Sequence, residues 1–531
     1  MSTWNVKVLT EEGVQRIYLC GLPGVGKTTF GKKLAKALGW TFLDLDQWIE
    51  KTKERSVTEL FAQGEETFRA AEKEACIDTF TLDHKVISLG GGALQDEQLT
   101  QQIKEHGLLV HLQIPREQLI TRLHRNQRRP MFKGLSRADT AQKVVELWQV
   151  RKSKYRQAHV SWNPMMGVPA VNDSERFLHG SIESVKGLEK WLPNPSKARF
   201  ACIVDEHVAE AHKDLFEEFA HQTHFIGMYT VPSGEGSKSV EAWRKLTTEL
   251  LEAGFKRTDT LLVFGGGVTG DLGGFVASTL MRGVRYLQIP TTLLAMVDSA
   301  VGGKTGINHS TGKNLIGSFH KAESVLFDPY FLSTLPKEEW INGTGEILKY
   351  GYIADPTILE ELSTTPFSEV DPDTQRHIIQ RCADIKAMIV ANDFKETGQR
   401  MHLNFGHTFA HALEHVAGYG TIPHGLAVLI GMKAAIWVSN QRGATIQDDI
   451  IHHHLPENVQ NTLSSLVRSK GDSLQESTNS FIHELIEAMN RDKKATSNGI
   501  RLILLNDLAD PVIVDDVSAD ELHRAWSYAL A

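Results

Sequence analysis

The sequence predicts an α/β chain with two separate strand–loop–helix regions followed by a mainly helical part. Three observations predict it. The apolar run Arg16-Ile17-Tyr18-Leu19-Cys20 leads into a glycine-rich loop, Gly21 to Gly26, and then into a helical stretch, Thr28 to Leu38. A second run, Leu261-Leu262-Val263-Phe264, passes into Gly265-Gly266-Gly267 in the same way. From about Asp328 onward, long amphipathic stretches such as Ile378 to Ala391 and His407 to Val416 take over. Strands alternating with helices build a parallel sheet covered on both faces.

In chain order, further apolar runs fall at Lys85 to Leu89 and Leu108 to Ile114, with helix-like segments between them. The pattern dissolves around Asn163 to Ser174, where two prolines, a glycine and several turn formers mark a junction. Alternation resumes at Phe200 to Val204, Thr260 to Phe264 and Tyr286 to Ile289. The expected organisation is a phosphate-binding parallel-sheet domain over 1–165 and a linker over 166–174. An α/β nucleotide-binding subdomain over 175–327 and a mainly helical, metal-binding subdomain over 328–531 follow.

A chain of 531 residues exceeds one ordinary core. Its net charge of -8 argues against a partner role on nucleic acid. No apolar run reaches the about 20 residues that span a bilayer, and Met1 to Gly13 lacks the basic start and apolar middle of a secretory signal. Cys20, Cys76, Cys202 and Cys382 are scattered and read as buried thiols of a reduced, cytoplasmic protein.

Gly21-Leu22-Pro23-Gly24-Val25-Gly26-Lys27-Thr28 fits G-x-x-x-x-G-K-[ST] between a strand and a helix. Glycines let backbone N–H groups wrap an anion, and the helix start favours negative charge. Lys27 would reach the outer phosphates of a nucleotide and the Thr28 hydroxyl would ligate Mg²⁺. Asp44 and Asp46 lie two residues apart after a strand-like run, so at strand period both would face one side. Alone, that pair could also be a helix cap and a solvated acid. Arg69 with Glu72, the run Gly90-Gly91-Gly92, and Arg122, Arg125, Arg128 and Arg129 before Pro130 complete the series.

In this order the motifs over about residues 14 to 165 resemble shikimate kinase. The resemblance implies ATP held by Gly24, Gly26, Lys27, Thr28 and Thr29, with Mg²⁺ on Thr28 and, through water, on Asp44. Asp46 would bind the shikimate hydroxyls and orient or deprotonate the attacking one. Arg69 and Arg151 would clamp the carboxylate, Gly91 and Gly92 would line the pocket, and Arg129 would neutralise the transferring phosphoryl group. Two departures concern lid packing more than chemistry: Arg129-Pro130-Met131-Phe132 lacks the usual leucines, and Ser153-Lys154 replace Pro-Leu after Arg151.

In the second region, glycines neighbour many cations and threonines: Arg282-Gly283, Pro290-Thr291-Thr292, Gly302-Gly303-Lys304-Thr305 and Gly312-Lys313-Asn314. That suits phosphates and a carboxylate. Glu346 and Lys349 share a helical face, as do His407 and His411, with His424 after a turn. One glutamate with His407 and His424 makes a three-ligand zinc set that leaves a position open for substrate.

This constellation, including G-G-G-V-x-G-D-L, V-D-S-x-V-G-G-K-T, G-E-I-L-K-Y-G and L-N-F-G-H-T-F, resembles 3-dehydroquinate synthase over about residues 172 to 531. The resemblance implies NAD⁺ on Asp205, Glu235, Lys238, Gly267, Asp271, Thr291 and Thr292, with Lys313 on the nucleotide or the substrate side. It implies Zn²⁺, or Co²⁺ in its place, on Glu346, His407 and His424. Substrate would meet Arg282, Asp298, Asn314, Arg400, Asn404 and one of Lys493 and Lys494, with Lys304, Lys349 and His411 catalytic. A homodimer through this half is also implied. The implied reaction takes hydride from C5 of a heptulosonate phosphate onto NAD⁺, expels phosphate, returns the hydride and closes the ring. Leu426 stands where the family has a glutamate two residues after the last histidine, which bears on metal tuning.

Three other readings remain for the second half: another sugar-phosphate cyclase, a metal-dependent polyol dehydrogenase, or an inactive scaffold. The lysine-rich glycine loops count against the dehydrogenase, and the retained catalytic side chains against the scaffold. The kinase-like partner region counts against other cyclases.

Overall fold

The computed structural model describes residues 14–114, 116–125, 130–155, 157–162, 164, 176–179, 199–222, 224–393, 398–418, 420–456, 458–468, 474–492 and 500–531. The expected linker over 166–174 lies outside them, as do Arg129, Lys493 and Lys494. The chain divides into two compact units, Met1–Asp173 and Ser174–Ala531.

The first unit is a parallel sheet of β1 (Arg16–Cys20), β2 (Thr41–Asp44), β3 (Lys85–Ser88), β4 (Leu108–Leu112) and β5 (Val160–Trp162), in the order β2-β3-β1-β4-β5. Every residue of β4 is buried. Such a run without polar alternation suits a strand covered on both faces. The glycine loop follows β1, where the strand order switches sides, the usual place for a ligand crevice. Gly26 caps the helix Lys27–Leu38 at φ +100° with no side-chain cap. A helix start of this kind suits an anion, because the first amides of a helix lack intrahelical acceptors.

The second unit begins with β6 (Arg176–His179), β7 (Phe200–Asp205), β8 (Phe225–Val231), β9 (Thr260–Gly265) and β10 (Arg285–Pro290). An antiparallel hairpin, β11 (Lys304–His309) and β12 (Gly312–Phe319), precedes β13 (Ser324–Phe327). The six-stranded sheet runs β6-β13-β10-β9-β7-β8, with every pair parallel. Its order reverses between β7 and β9, so Asp205 and the loop after Gly265 flank one crevice.

The helical part includes Leu474–Asp492 and, before it, Lys337–Ile353, Pro372–Asn392, His407–Ala417 and His424–Gln441. Helix His424–Gln441 is buried along most of its length and forms the centre of the helical layer, covered by the helix Ala519–Leu530. Trp526 of that terminal helix packs edge-on against Phe409 with ring centroids 5.2 Å apart. A second hairpin, β14 (Leu502–Asp507) and β15 (Asp510–Val514), interrupts the helical part. Among the described residues no helix is long and apolar enough to cross a membrane. All four cysteines are free and buried.

Candidate active sites

In the first unit, Gly24, Gly26, Lys27, Thr28, Thr29, Asp44, Asp46 and Gly91 line one cavity of about 500 Å³. Thr28 Oγ1 donates to Asp44 Oδ2 at 3.0 Å, and Lys27 Nζ donates to the Gly21 carbonyl at 2.8 Å. The two aspartates reach the cavity by a different route from the one expected. They do not share a strand face: β2 ends at Asp44, and Asp46 lies in the first turn of the helix Leu45–Lys53. Asp44 keeps extended dihedrals (φ -96°, ψ 120°) at the helix start, and the chain turns helical immediately after it. A carboxylate in the first turn gains from the helix dipole.

Arg69 Nη1 donates to Glu72 Oε2 at 2.6 Å, and Nη2 to Glu65 at 3.2 Å. Burial raises the Glu72 carboxyl above its ordinary range, although the Arg69 charge pulls it back. A Cβ on Gly92 would fall 2.5 Å from both Arg69 Nη atoms, and one on Gly91 would fall 3.0 Å from Arg151 Nη1. The two guanidinium groups thus rest against adjacent glycines at one end of the pocket. Tyr155 reinforces this by donating to the Gly91 carbonyl at 3.1 Å. Arg122 and Arg125, visible in the sequence only as part of a basic run, also line the cavity.

In the second unit, a cavity of about 590 Å³ is walled by Asp271, Asp298, Lys304, Asn314, Lys349, Arg400, Asn404 and His407 from the expected set. Arg282, in the left-handed region at φ 66° after the helix Gly267–Thr279, is not part of this wall. Around the crevice between β7 and β9, Asp205 accepts from Ser233 Oγ at 2.8 Å and caps the following helix. Buried Lys238 donates to Asp271 Oδ2 at 2.7 Å and also to Asn314. Glu235 accepts from Asn308 at 2.8 Å. Helix Gly267–Thr279 starts beside Thr292, whose side chain lies against Gly266, and the buried Thr291 hydroxyl has no hydrogen-bond partner among the described residues. Such an orphaned group fits a site that a ligand completes.

One polar residue of this wall is not evident from the motifs. Lys386, buried on the helix Pro372–Asn392, donates at 2.7 Å to the Asp298 carbonyl and lies 2.7 Å from its Oδ2. Asp298 sits in a π-helical turn, Ala295–Ser299, and also accepts from Tyr350 at 2.8 Å, with Lys349 Nζ at 3.6 Å. Burial opposes ionisation of Asp298, but Lys386 and Lys349 outweigh it and hold the carboxyl low. Burial pulls Lys386 down, while Glu346 and Asp298 overcome burial at Lys349 and push it up. The sequence signal for Lys386 is a lone cation inside the apolar run Cys382-Ala383-Asp384-Ile385-Lys386-Ala387-Met388.

Glu346 Oε1 lies 3.2 Å from His407 Nε2 and 3.4 Å from His424 Nε2. The donor atoms of these three residues fall within 4.8 Å of one another. Burial disfavours the Glu346 carboxylate, but Lys349 and then His407 keep it well below its usual range. One carboxylate and two imidazoles converging beside an open cavity suit a divalent metal. His411 belongs to the next turn of the same helix as His407, with ring centroids 5.6 Å apart.

Residues 23–168 match the shikimate kinase family; residues 228–342 and 343–495 match the N-terminal and C-terminal 3-dehydroquinate synthase families. A 3-dehydroquinate synthase of Salinibacter ruber is 39% identical over 366 residues, covering 68% of this chain and 96% of its own length. One from Listeria monocytogenes is 40% identical over 336 residues, covering 63% and 88%. The 2-epi-5-epi-valiolone synthase of Streptomyces hygroscopicus, solved with NAD⁺ and Zn²⁺ bound, superposes with a TM-score of 0.56 at 25% identity, covering 67% of this chain and 97% of that one. A 2-deoxy-scyllo-inosose synthase shares the fold at a TM-score of 0.53 and 22% identity, covering 66% and 95%. The chain belongs to the 3-dehydroquinate synthase family and carries a shikimate kinase domain ahead of it, a bifunctional enzyme of the shikimate pathway.

Proposed function

We propose that the second unit binds NAD⁺ in the crevice between β7 and β9 and a divalent metal, zinc or cobalt, on Glu346, His407 and His424. In this form it turns 3-deoxy-D-arabino-heptulosonate 7-phosphate into 3-dehydroquinate and phosphate. The carrying observation is the convergence of those three donors within 4.8 Å, next to a cavity whose wall holds Lys304, Lys349, Lys386 and Arg400. When bound, the metal supplies Lewis acidity toward the substrate's oxygens and the nucleotide a reversible hydride acceptor.

The protein's own part is to hold a phosphate and a carboxylate in one orientation throughout. Lys304 and Arg400 offer separate anion contacts, while Asp298 spaces the Lys349 and Lys386 ammonium groups through its two oxygens. Asn404 and His411 serve substrate hydroxyls, and Asn314 closes the nucleotide side through Lys238. A cage assembled before substrate arrives lowers the ordering cost of each step.

In the first unit, the loop from Gly21 to Thr29 holds ATP, Thr28 and Asp44 hold Mg²⁺, and Asp46 orients the shikimate hydroxyl. Arg69 and Arg151 take the carboxylate against Gly91 and Gly92. Arg129 completes the anion contacts of this first site in this reading, and one of Lys493 and Lys494 reaches the substrate phosphate in the second unit. The working boundaries are 1–165, 166–174, 175–327 and 328–531, in a cytoplasmic homodimer paired through the second unit. Free buried thiols and the absence of a membrane-length helix among the described residues agree with that location.

The test supplies heptulosonate phosphate, NAD⁺ and Zn²⁺ together and identifies the product. Dehydroquinate is expected, and its loss on zinc-selective chelation should leave ATP-dependent shikimate phosphorylation intact. A different carbocycle, or activity indifferent to metal removal, would overturn the reading. Expression of 1–165 and 175–531 as separate chains, with size measurement of the latter, tests the boundaries and the dimer.

A further inference from the structure

The backbone around His424 is fixed by close packing. A Cβ on Gly425 would meet the Ile341 carbonyl at 2.3 Å, and the Gly425 amide donates to Asn342 Oδ1 at 3.0 Å. Helix His424–Gln441 therefore starts at one place against helix Lys337–Ile353, and only the imidazole's own rotation remains free. Its Nε2 faces Glu346 Oε1 at 3.4 Å. Its Nδ1 faces a second carboxylate, Glu414 Oε1, at 3.2 Å.

Glu414 sits on helix His407–Ala417, seven residues after His407 and three after His411, so all three share a face. The side chain is largely buried, 15% exposed. Position 426 cannot supply an acid here, because it is a buried leucine.

Building on the metal reading above, we infer that Glu414 is the positioning residue of the metal site: it accepts the Nδ1 proton of His424, fixes the ring's tautomer and angle, and presents Nε2 as a ligand. An imidazole whose far nitrogen donates to a carboxylate is a more basic and better oriented ligand.

The test uses the full chain, stripped of metal and titrated with Zn²⁺ against a chelating dye, with the visible spectrum of the Co²⁺ form as a second readout. Glu414→Gln keeps the side chain's shape and removes its charge. It should bind zinc about 10- to 100-fold more weakly than wild type and alter the Co²⁺ spectrum. Shikimate phosphorylation should be unchanged. Glu414→Asp, which keeps the charge but withdraws it, should also weaken binding, and carries the test if the Gln variant melts abnormally. Wild-type affinity and an unchanged spectrum in a folded Gln or Asp variant overturn the inference. Wild-type affinity in His424→Ala instead overturns the metal reading itself, so the two failures are distinguishable.

Discussion

Replacing Gly92 with Ala should damage shikimate binding without damaging the fold. At φ -116° and ψ 0°, Gly92 occupies backbone space open to alanine. The added methyl would lie 2.5 Å from Arg69 Nη1 and Nη2 and 2.8 Å from Cζ, far inside van der Waals contact. The neighbour that must give way is the far end of a flexible side chain, so the folding cost is small. Alanine also reduces unfolded-chain freedom, worth about 0.4–1 kcal/mol in favour of the fold. The guanidinium, still drawn toward Glu72, would leave the surface proposed to receive the substrate carboxylate. Hydrogen bonds to a charged group contribute about 1.5–3 kcal/mol. Their loss should raise the KM for shikimate by roughly 10- to 150-fold. Initial rates of ATP-dependent phosphorylation across shikimate concentrations measure this, with dehydroquinate formation by the same sample as internal control. An unchanged KM in a protein of unchanged melting temperature would refute the placement of Arg69. A lowered kcat at constant KM would assign Gly92 to phosphoryl transfer instead.

Lys27→Ala should abolish phosphorylation while dehydroquinate formation continues near wild type; loss of both in a folded variant would contradict independent sites. His424→Ala should lose about one zinc per chain and all dehydroquinate formation, measured by metal analysis and product assay. Lys386→Met breaks a buried pair but leaves Asp298 with Tyr350 and Lys349, so the unfolding free energy of the second unit, measured by denaturant titration, should fall by the low end of about 3–5 kcal/mol, with kcat/KM for heptulosonate phosphate reduced. Asp384, buried on the same helix, has its carboxyl pushed up to about 8 by burial. Its folded form holds the proton more tightly than the unfolded chain, at about 3.9, so its contribution to stability falls as pH rises between those values. Asp384→Asn should therefore raise the melting temperature at pH 8.5, and the gain should shrink toward pH 5.

Local sequence reveals a site where its chemistry is bound to backbone form, and conceals it where the chain is brought back from far away. Lys27 and Thr28 were legible because a glycine loop between a strand and a helix has few other uses. His407 and His424 were legible because two imidazoles on adjacent helix starts, with a buried glutamate elsewhere, leave few other partners. The Asp44 and Asp46 geometry was misread because a strand of four residues ends where a helix begins, and periodicity cannot resolve an element boundary inside so short a span. Lys386 and Glu414 were hidden for a different reason. Each lies on an amphipathic helix, where a single charge reads as a solvated face. Only the packing of Pro372–Asn392 against the π-helical turn at Asp298, and of His407–Ala417 beside the start of His424–Gln441, turns them inward. The signal was nonetheless present in the heptad from His407 to Glu414, since an acid seven residues from a metal-binding histidine falls on the same face two turns on. That spacing places the acid beside whatever the histidine binds, and in this fold it meets the second histidine, arriving from another helix.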